Sequence, residues 1–379
     1  MSTGNSLDID ALVDDRATRI VVCCGSGGVG KTTTSAAIAL RAAERGRKVV
    51  VLTIDPARRL AQSMGIEQLD NTPRPVPGIG SDGPGTGSLD AMMLDMKRTF
   101  DEVVLSQASP EKARQILQNP FYIALSSSFA GTQEYMAMEK LGQLHRDAQA
   151  SGAYDLIVVD TPPSRSALDF LDAPERLSSF LDGRFIRMLL APARGPARLM
   201  SAGIGLVTGA LSKVLGGQFL KDLQTFVTAL DTVFGGFRQR AQQTYALLQA
   251  SGTAFLVVAA PEDDALREAA YFVQRLQGDR MPLAGLVVNR AVLSDHADLS
   301  VAAALAATER MAPDSVTAGL LRIHADRERL VARQRTLRER FAAAHPQVAS
   351  VVVPALAGDV HDLDGLRAVG ELLAAPAEA

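Results

Sequence analysis

Between a short apolar strand, Ile20–Cys24, and an alanine-rich helix, the chain places Gly25-Ser26-Gly27-Gly28-Val29-Gly30-Lys31-Thr32. This stretch constrains the fold more than any other. It fits the pattern G-x-x-x-x-G-K-[ST] in the strand–loop–helix setting that gives the pattern its meaning. Glycines at 25, 27, 28 and 30 allow a tight turn and a close backbone approach, because they carry no Cβ. The main-chain N–H groups so released surround an anion at the positive end of a helix. Lys31 reaches the outer phosphates of a triphosphate, and the Thr32 hydroxyl is a ligand for Mg²⁺. The competing reading is a glycine-rich turn with a surface lysine.

Two carboxylates end later strands. Lys48–Ile54 is a continuous apolar run of the kind buried on both faces of a parallel sheet, and it stops at Asp55-Pro56-Ala57. A right-handed βαβ crossover puts Asp55 at the carboxyl edge of the sheet, beside the glycine loop. Tyr154–Asp160 repeats the design and is followed by Thr161-Pro162-Pro163-Ser164-Arg165. Asp160 is thus a candidate for the acid that holds Mg²⁺, often through water. Standing alone, such a residue would be read as a turn or helix cap. Leu283–Arg290 ends in Asn289, whose amide both donates and accepts and suits the edge of an adenine ring. Turn chemistry is the alternative there.

Composition narrows the class. The chain has 379 residues, a net charge of −3, 5% aromatics and no Trp, so it offers neither a global basic field nor base-stacking platforms for nucleic acid. The first 18 residues carry four aspartates and no apolar h-region, which argues against a signal peptide and for a cytoplasmic protein. Cys23 and Cys24 are the two cysteines, adjacent in the first strand, and read as small buried apolar residues. His145, His296, His324, His345 and His361 show no ligand spacing.

Along the chain, residues 1–17 read as a loose arm and the Pro/Gly-rich stretch 71–89 as an exposed loop. A strand is expected over Ala91–Asp95, and helices over Met96–Gln118, Glu134–Ala150, Glu262–Leu276 and Ser315–Ala344. Residues 184–250 change character, being apolar and rich in Leu, Met, Phe, Gly and Ala. Their longest uncharged run, Leu199–Ser212, is shorter than the roughly 20 residues of a membrane span. They form either a helical subdomain with its own core or an exposed groove for an apolar ligand or partner helix. The chain thus divides into 1–183, an inserted helical part 184–250, and 251–379.

With these landmarks placed, the chain resembles the arsenite-pump ATPase (ArsA) family and its relatives that target tail-anchored membrane proteins, and within it the actinobacterial branch. The resemblance rests on Gly25–Thr33, Thr53-Ile54-Asp55-Pro56-Ala57, Gly131-Thr132-Gln133-Glu134, Val159-Asp160-Thr161-Pro162-Pro163, Val288-Asn289 and Pro354–Asp359, in that order. It implies a doubly wound, mostly parallel α/β sheet of seven or eight strands with an inserted helical subdomain. It further implies a cytoplasmic Mg-ATP hydrolase working as a dimer, homomeric or formed with a paralogue. Lys31, Asp55 and Asp160 would be catalytic, with Asp55 orienting water. Thr32 and Asp160 would serve Mg²⁺. Gly25, Ser26, Gly27, Gly28, Val29, Gly30, Lys31, Thr32, Thr33, Asn289, Arg290 and Pro354 would contact ATP. The 184–250 helices would receive a hydrophobic helix or membrane-protein client, and peripheral membrane association is compatible with that.

Three departures matter. Ser26 stands where the family usually carries a lysine that reaches the partner's phosphates, and Arg58 or Arg165 is the candidate replacement. The Cys-x-x-Cys of a bridging zinc is absent from 315–344, so no structural zinc is expected. The arsenite-binding cysteines of the pump ATPases are missing, which disfavours an anion-pump subunit. A nucleotide-gated binding module with little hydrolysis is the main alternative. A DNA-partition ATPase is a third, opposed by the acidic net charge and the apolar insertion.

Overall fold

The computed structural model describes residues 6–54, 59–80, 87–120, 122–123, 126, 132–162, 236, 239–294, 298–312 and 314–374. By proximity the chain forms two units, one of Met1–Met93, Asp147–Ala167 and Leu247–Ala379, the other of Leu94–Arg146 and Leu168–Ala246.

Strand β1 (Ile20–Cys24) lies at the middle of the first unit, with β5 (Leu156–Asp160) on one side and β6 (Thr253–Ala259) on the other, both parallel. Beyond β5 come β2 (Lys48–Thr53), β4 (Ser88–Met93) and the short antiparallel β3 (Arg74–Pro75). Beyond β6 come β7 (Leu283–Ala291) and β8 (Ser350–Pro354). The eight-stranded order is β3-β4-β2-β5-β1-β6-β7-β8, the doubly wound, mostly parallel α/β sheet expected. The central strands β1, β5 and β6 are buried at every position, which is why their sequences are unbroken apolar runs rather than alternating ones. The chain crosses from β1 to one side and returns to the other, so the carboxyl ends of β1 and its neighbours form the switch point where such sheets bind ligands.

Helix α2 (Lys31–Glu44) follows β1 and buries an alanine-rich face on the sheet. Gly46 N–H donates to Ala43 O and Arg47 N–H to Ala42 O, the paired bonds of a Schellman stop. That stop delivers Arg47 into the interior, where its guanidinium is 1% exposed. It donates to Asp155 Oδ1 at 2.7 Å and to the carbonyls of Val13, Asp15, Thr18 and Asp155. One cation thus ties the N-terminal segment, α2 and the approach to β5.

Several expectations are corrected. From Ser6 onward the arm is not loose: Leu7 N–H pairs with Ser350 O, and α1 (Ile9–Asp14) buries Ile9 and Val13 completely. Six residues give too short a periodicity to read, so packing decides. Arg41 Nη2 holds Asp10 at 2.7 Å and Arg45 Nε holds Asp14 at 2.7 Å. These bonds, above all, keep both carboxyls below their usual range. Within 71–89 the chain forms β3 and enters β4 at Ser88, three residues before the strand expected at Ala91. Gly/Pro content masked a stretch that is an edge strand.

In the second unit the expected helix 96–118 is two, α4 (Met96–Gln107) and α5 (Pro110–Leu117), because Pro110 lacks the N–H a continuous helix needs. Next comes α6 (Thr132–Ser151), which begins in this unit, and Glu139 accepts from Arg240 Nε at 2.8 Å. Back in the first unit, α3 (Arg59–Ser63) precedes β3, α7 (Asp263–Gly278) precedes β7, and α8 (Val301–Thr308), which the sequence reading missed, leads to α9 (Val316–Ala344) and finally α10 (Leu363–Ala374). No described helix is long and apolar enough to cross a membrane. Of the 184–250 stretch, residues 184–235, 237 and 238 lie outside the described residues.

Two predictions follow from this packing. Arg47→Ala takes this donor from four carbonyls and from Asp155 Oδ1, though Arg16 still holds Asp155 Oδ2, and should cost about 3–5 kcal/mol of stability in urea unfolding, with Arg47→Lys recovering little of it. The Asp10 and Asp14 pairs, whose folded pKa values are depressed, should add stability that is present above the unfolded carboxylate value of about pH 4 and is lost as pH falls from there through the lower folded values. Asp10→Asn/Asp14→Asn should flatten that acid limb in thermal melts.

Candidate functional site

The glycine loop is shaped by two steric demands. Gly25 has φ +153°, and a Cβ there would sit 2.1 Å from Val258 O on β6. Gly30, the N-cap of α2, has φ +93°, and its Cβ would sit 2.2 Å from Asn289 Nδ2. A side chain at 25 would have to move the sheet backbone, and one at 30 would have to displace the Asn289 amide. Inside the loop Lys31, nearly fully buried, donates from Nζ to Ser26 O at 2.8 Å. The ammonium therefore lies folded against the loop backbone.

Sheet register builds the acid cluster. β1 pairs Cys23 with Asp160, and β2 pairs Thr53 with the same residue. Thr32 Oγ1, on the first turn of α2, donates to Asp160 Oδ2 at 2.7 Å, and Thr53 Oγ1 donates to the same oxygen at 2.9 Å. Asp160 is completely buried. Thr161 Oγ1 closes the layer by donating to Cys23 O at 2.9 Å. Thr53 was not singled out from the sequence. Its signal was a hydroxyl residue at the end of an apolar run, two positions before Asp55. The set of carboxylate and hydroxyl oxygens suits Mg²⁺, which prefers hard oxygen ligands. Among the described residues no group of three or more His, Cys, Asp or Glu forms a further metal cluster.

Asn289 and Arg290, just before the end of β7, reach the loop itself. Asn289 Nδ2 donates to Val29 O at 2.9 Å, and Arg290 Nη2 donates to Gly28 O at 2.8 Å. Arg290 holds φ +59°, an unusual backbone for a long side chain, beside a register shift between β7 and β8. The Asn289 amide thus braces the loop, a role that neither the adenine-edge nor the turn reading anticipated. A cavity of about 800 Å³ opens here, and Gly28, Thr32, Thr33, Asn289, Arg290 and Pro354 all line it. Gln62 and Ser63 of α3 and the Asp359–His361 turn line it too, with His361 Nδ1 2.8 Å from Asp359 O. Nothing local in the sequence marked Gln62 or Ser63. Lys31 and Asp160, both buried, are not among the residues that line it. Asp55, Arg58 and Arg165 lie outside the described residues. Cys23 and Cys24 are buried, and desolvation pushes the Cys23 thiol up to about 12 and Cys24 higher still, so neither is a thiolate nucleophile.

A glycine loop between the central strand and its helix, with a lysine folded inside and a hydroxyl-bonded acid on the next strand, defines a phosphate-loop nucleotide-binding fold. Residues 18–314 match the model of the anion-transporting ATPases (ArsA), and the chain belongs to that family. It is 28% identical over 266 residues to the ATPase ASNA1 homolog of Cryptosporidium parvum, covering 70% of this chain and 63% of that protein. It is 27% identical over 284 residues to ATPase GET3 of Podospora anserina, covering 74% and 76%. It is 29% identical over 160 residues to the arsenical pump-driving ATPase of Acidiphilium multivorum, covering 42% and 26%.

The Gly30–Asn289 approach can be tested directly. Gly30→Ala should destabilise the protein by roughly 1–3 kcal/mol. Adding Asn289→Ala removes the collision but not the backbone strain, so the double variant should recover only part of the loss in thermal unfolding.

Proposed function

We propose that this protein is a Mg-ATP-driven switch that couples hydrolysis to the binding of an apolar partner, a hydrophobic helix or membrane-protein client. The observation that carries the reading is the convergence of Thr32 and Thr53 on the buried Asp160 carboxylate beside the glycine loop. Family membership supports the same conclusion.

In this reading the amides of Gly25, Ser26, Gly27, Gly28, Val29 and Gly30 hold the phosphates, with the amide end of α2 aligned on them. Lys31 exchanges its bond to Ser26 O for the outer phosphate oxygens, where its charge counters what develops in the transition state. Mg²⁺, when bound, neutralises phosphate charge. Thr32 would hold it directly and Asp160 through water. Asp55 orients the attacking water, a role resting on its place after β2. Asn289, Arg290, Thr33 and Pro354 line the cavity that receives the nucleoside. The partner surface is assigned to 184–250, and the working unit to a cytoplasmic dimer, homomeric or with a paralogue. No residue here supports arsenite as effector.

Ser26 favours a second reading. It supplies no charge where the resemblance implies a lysine, and its buried Oγ finds no hydrogen-bond partner among the described residues. Nucleotide binding would then gate the partner surface with little turnover.

Calorimetry with Mg-ATP and a phosphate-release assay separate these outcomes. Lys31→Ala should weaken binding by at least about tenfold, the loss of one charge-assisted contact. Asp55→Asn should still bind but turn over roughly 10²–10⁴ times more slowly. Asp160→Ala should raise the Mg²⁺ concentration needed. Tight binding with background phosphate release, with or without apolar helices, selects the gated module. No adenine nucleotide uptake overturns both readings.

A further inference from the structure

Asn289 and Arg290 are consecutive residues of one strand, so in regular backbone their side chains would point to opposite faces of the sheet. Instead both reach the glycine loop, Asn289 at Val29 O and Arg290 at Gly28 O. The backbone brings them to one side. Arg290 has φ +59°, in the left-handed region, and the pairing of β7 with β8 shifts register between Val288 and Ala291. A shift of this kind re-aims a side chain. A long side chain on left-handed backbone is held there at a cost in stability, and such strain collects where a residue is aimed at a ligand.

Bracing the loop does not account for the choice of residue. Next to it the neutral amide of Asn289 braces Val29 O without positive φ. A guanidinium is always charged and carries five N–H donors. Arg290 gives one to Gly28 O at 2.8 Å, and among the described residues no carboxylate pairs with it. Its side chain is exposed, and it is the only Lys or Arg among the described residues that line the cavity. Residues 25–33 themselves carry a single cation, Lys31, against the several negative charges of a triphosphate. A charged group tethered to a loop carbonyl, with most of its donors to spare, thus stands beside the place where the loop amides collect an anion.

We propose that Arg290 is a phosphate-binding residue acting within its own chain: on nucleotide binding its guanidinium leaves Gly28 O and takes phosphate oxygens. This role rests on the nucleotide reading above and adds to it a charge that the loop lacks. One neutral-acceptor hydrogen bond is exchanged for charge-assisted ones, and no covalent bond changes. The same side chain braces the loop before binding and grips the triphosphate after it.

Calorimetry of the full chain with Mg-ATP and with Mg-tripolyphosphate, which has the phosphates and no base, tests this. Arg290→Ala should weaken both by the same factor, about tenfold. Arg290→Lys should recover most of the loss. Arg290→Gln, which keeps an N–H for Gly28 O but no charge, should not. Added salt should weaken ATP binding less steeply in Arg290→Ala and Arg290→Gln than in the wild type or Arg290→Lys. Arg290→Gly should melt above Arg290→Ala, because glycine adopts this φ without strain, yet bind no better. A purely structural role would make affinity follow stability. Loss of ATP affinity with tripolyphosphate unaffected would put the arginine on the base and overturn the assignment. Rescue by glutamine would reduce it to a brace, and unchanged ATP affinity in Arg290→Ala would remove it while leaving the nucleotide reading intact. A wild-type chain that takes up neither ligand would remove both.

Discussion

The carboxylate of Asp160 is the point on which the first unit turns. It stands at the carboxyl end of β5, wholly buried, and accepts from two hydroxyls that arrive by different routes. Thr32 comes from the helix after β1 and Thr53 from the end of β2, so one side chain joins a helix terminus to two strands. A buried carboxylate is tolerable only when such donors replace water. The register of three parallel strands supplies them, since Cys23, Asp160 and Thr53 stand level across the sheet. The loop above inherits its position from this layer.

A second layer of support comes from the far side. β7 lies two strands from β1, yet its last residues reach the loop, Asn289 holding Val29 O and Arg290 holding Gly28 O. The loop is therefore braced from outside by side chains and from inside by Lys31 on Ser26 O. Every one of these partners is a main-chain carbonyl. Carbonyls turned toward braces leave the loop amides directed the other way, the arrangement that suits an anion.

What could be read in advance follows a simple division. The strand, the glycine run and Lys31 are contiguous, so their geometry is local and the pattern suffices. Asp160 was legible because an apolar strand ending in an acid is also local. Thr53 was not, because its importance comes from pairing with a strand that begins a hundred residues later. Asn289 was visible as an unusual strand end, but its tie to Val29 spans 260 positions and no periodicity reports it. The N-terminal arm misled for another reason. Leu7, Ile9 and Val13 are too few to make a pattern, yet β8 and α2 give them something to pack on.

The amino-acid order by itself determined the parallel α/β class, the glycine loop and the place of Asp160 at a strand end, because these depend on backbone freedom and burial within one strand or turn. Only the tertiary structure decided which side chains surround the acid, what braces the loop and where Arg47 is buried. Those outcomes depend on strand order and register, which bring together residues that nothing in the linear chain relates.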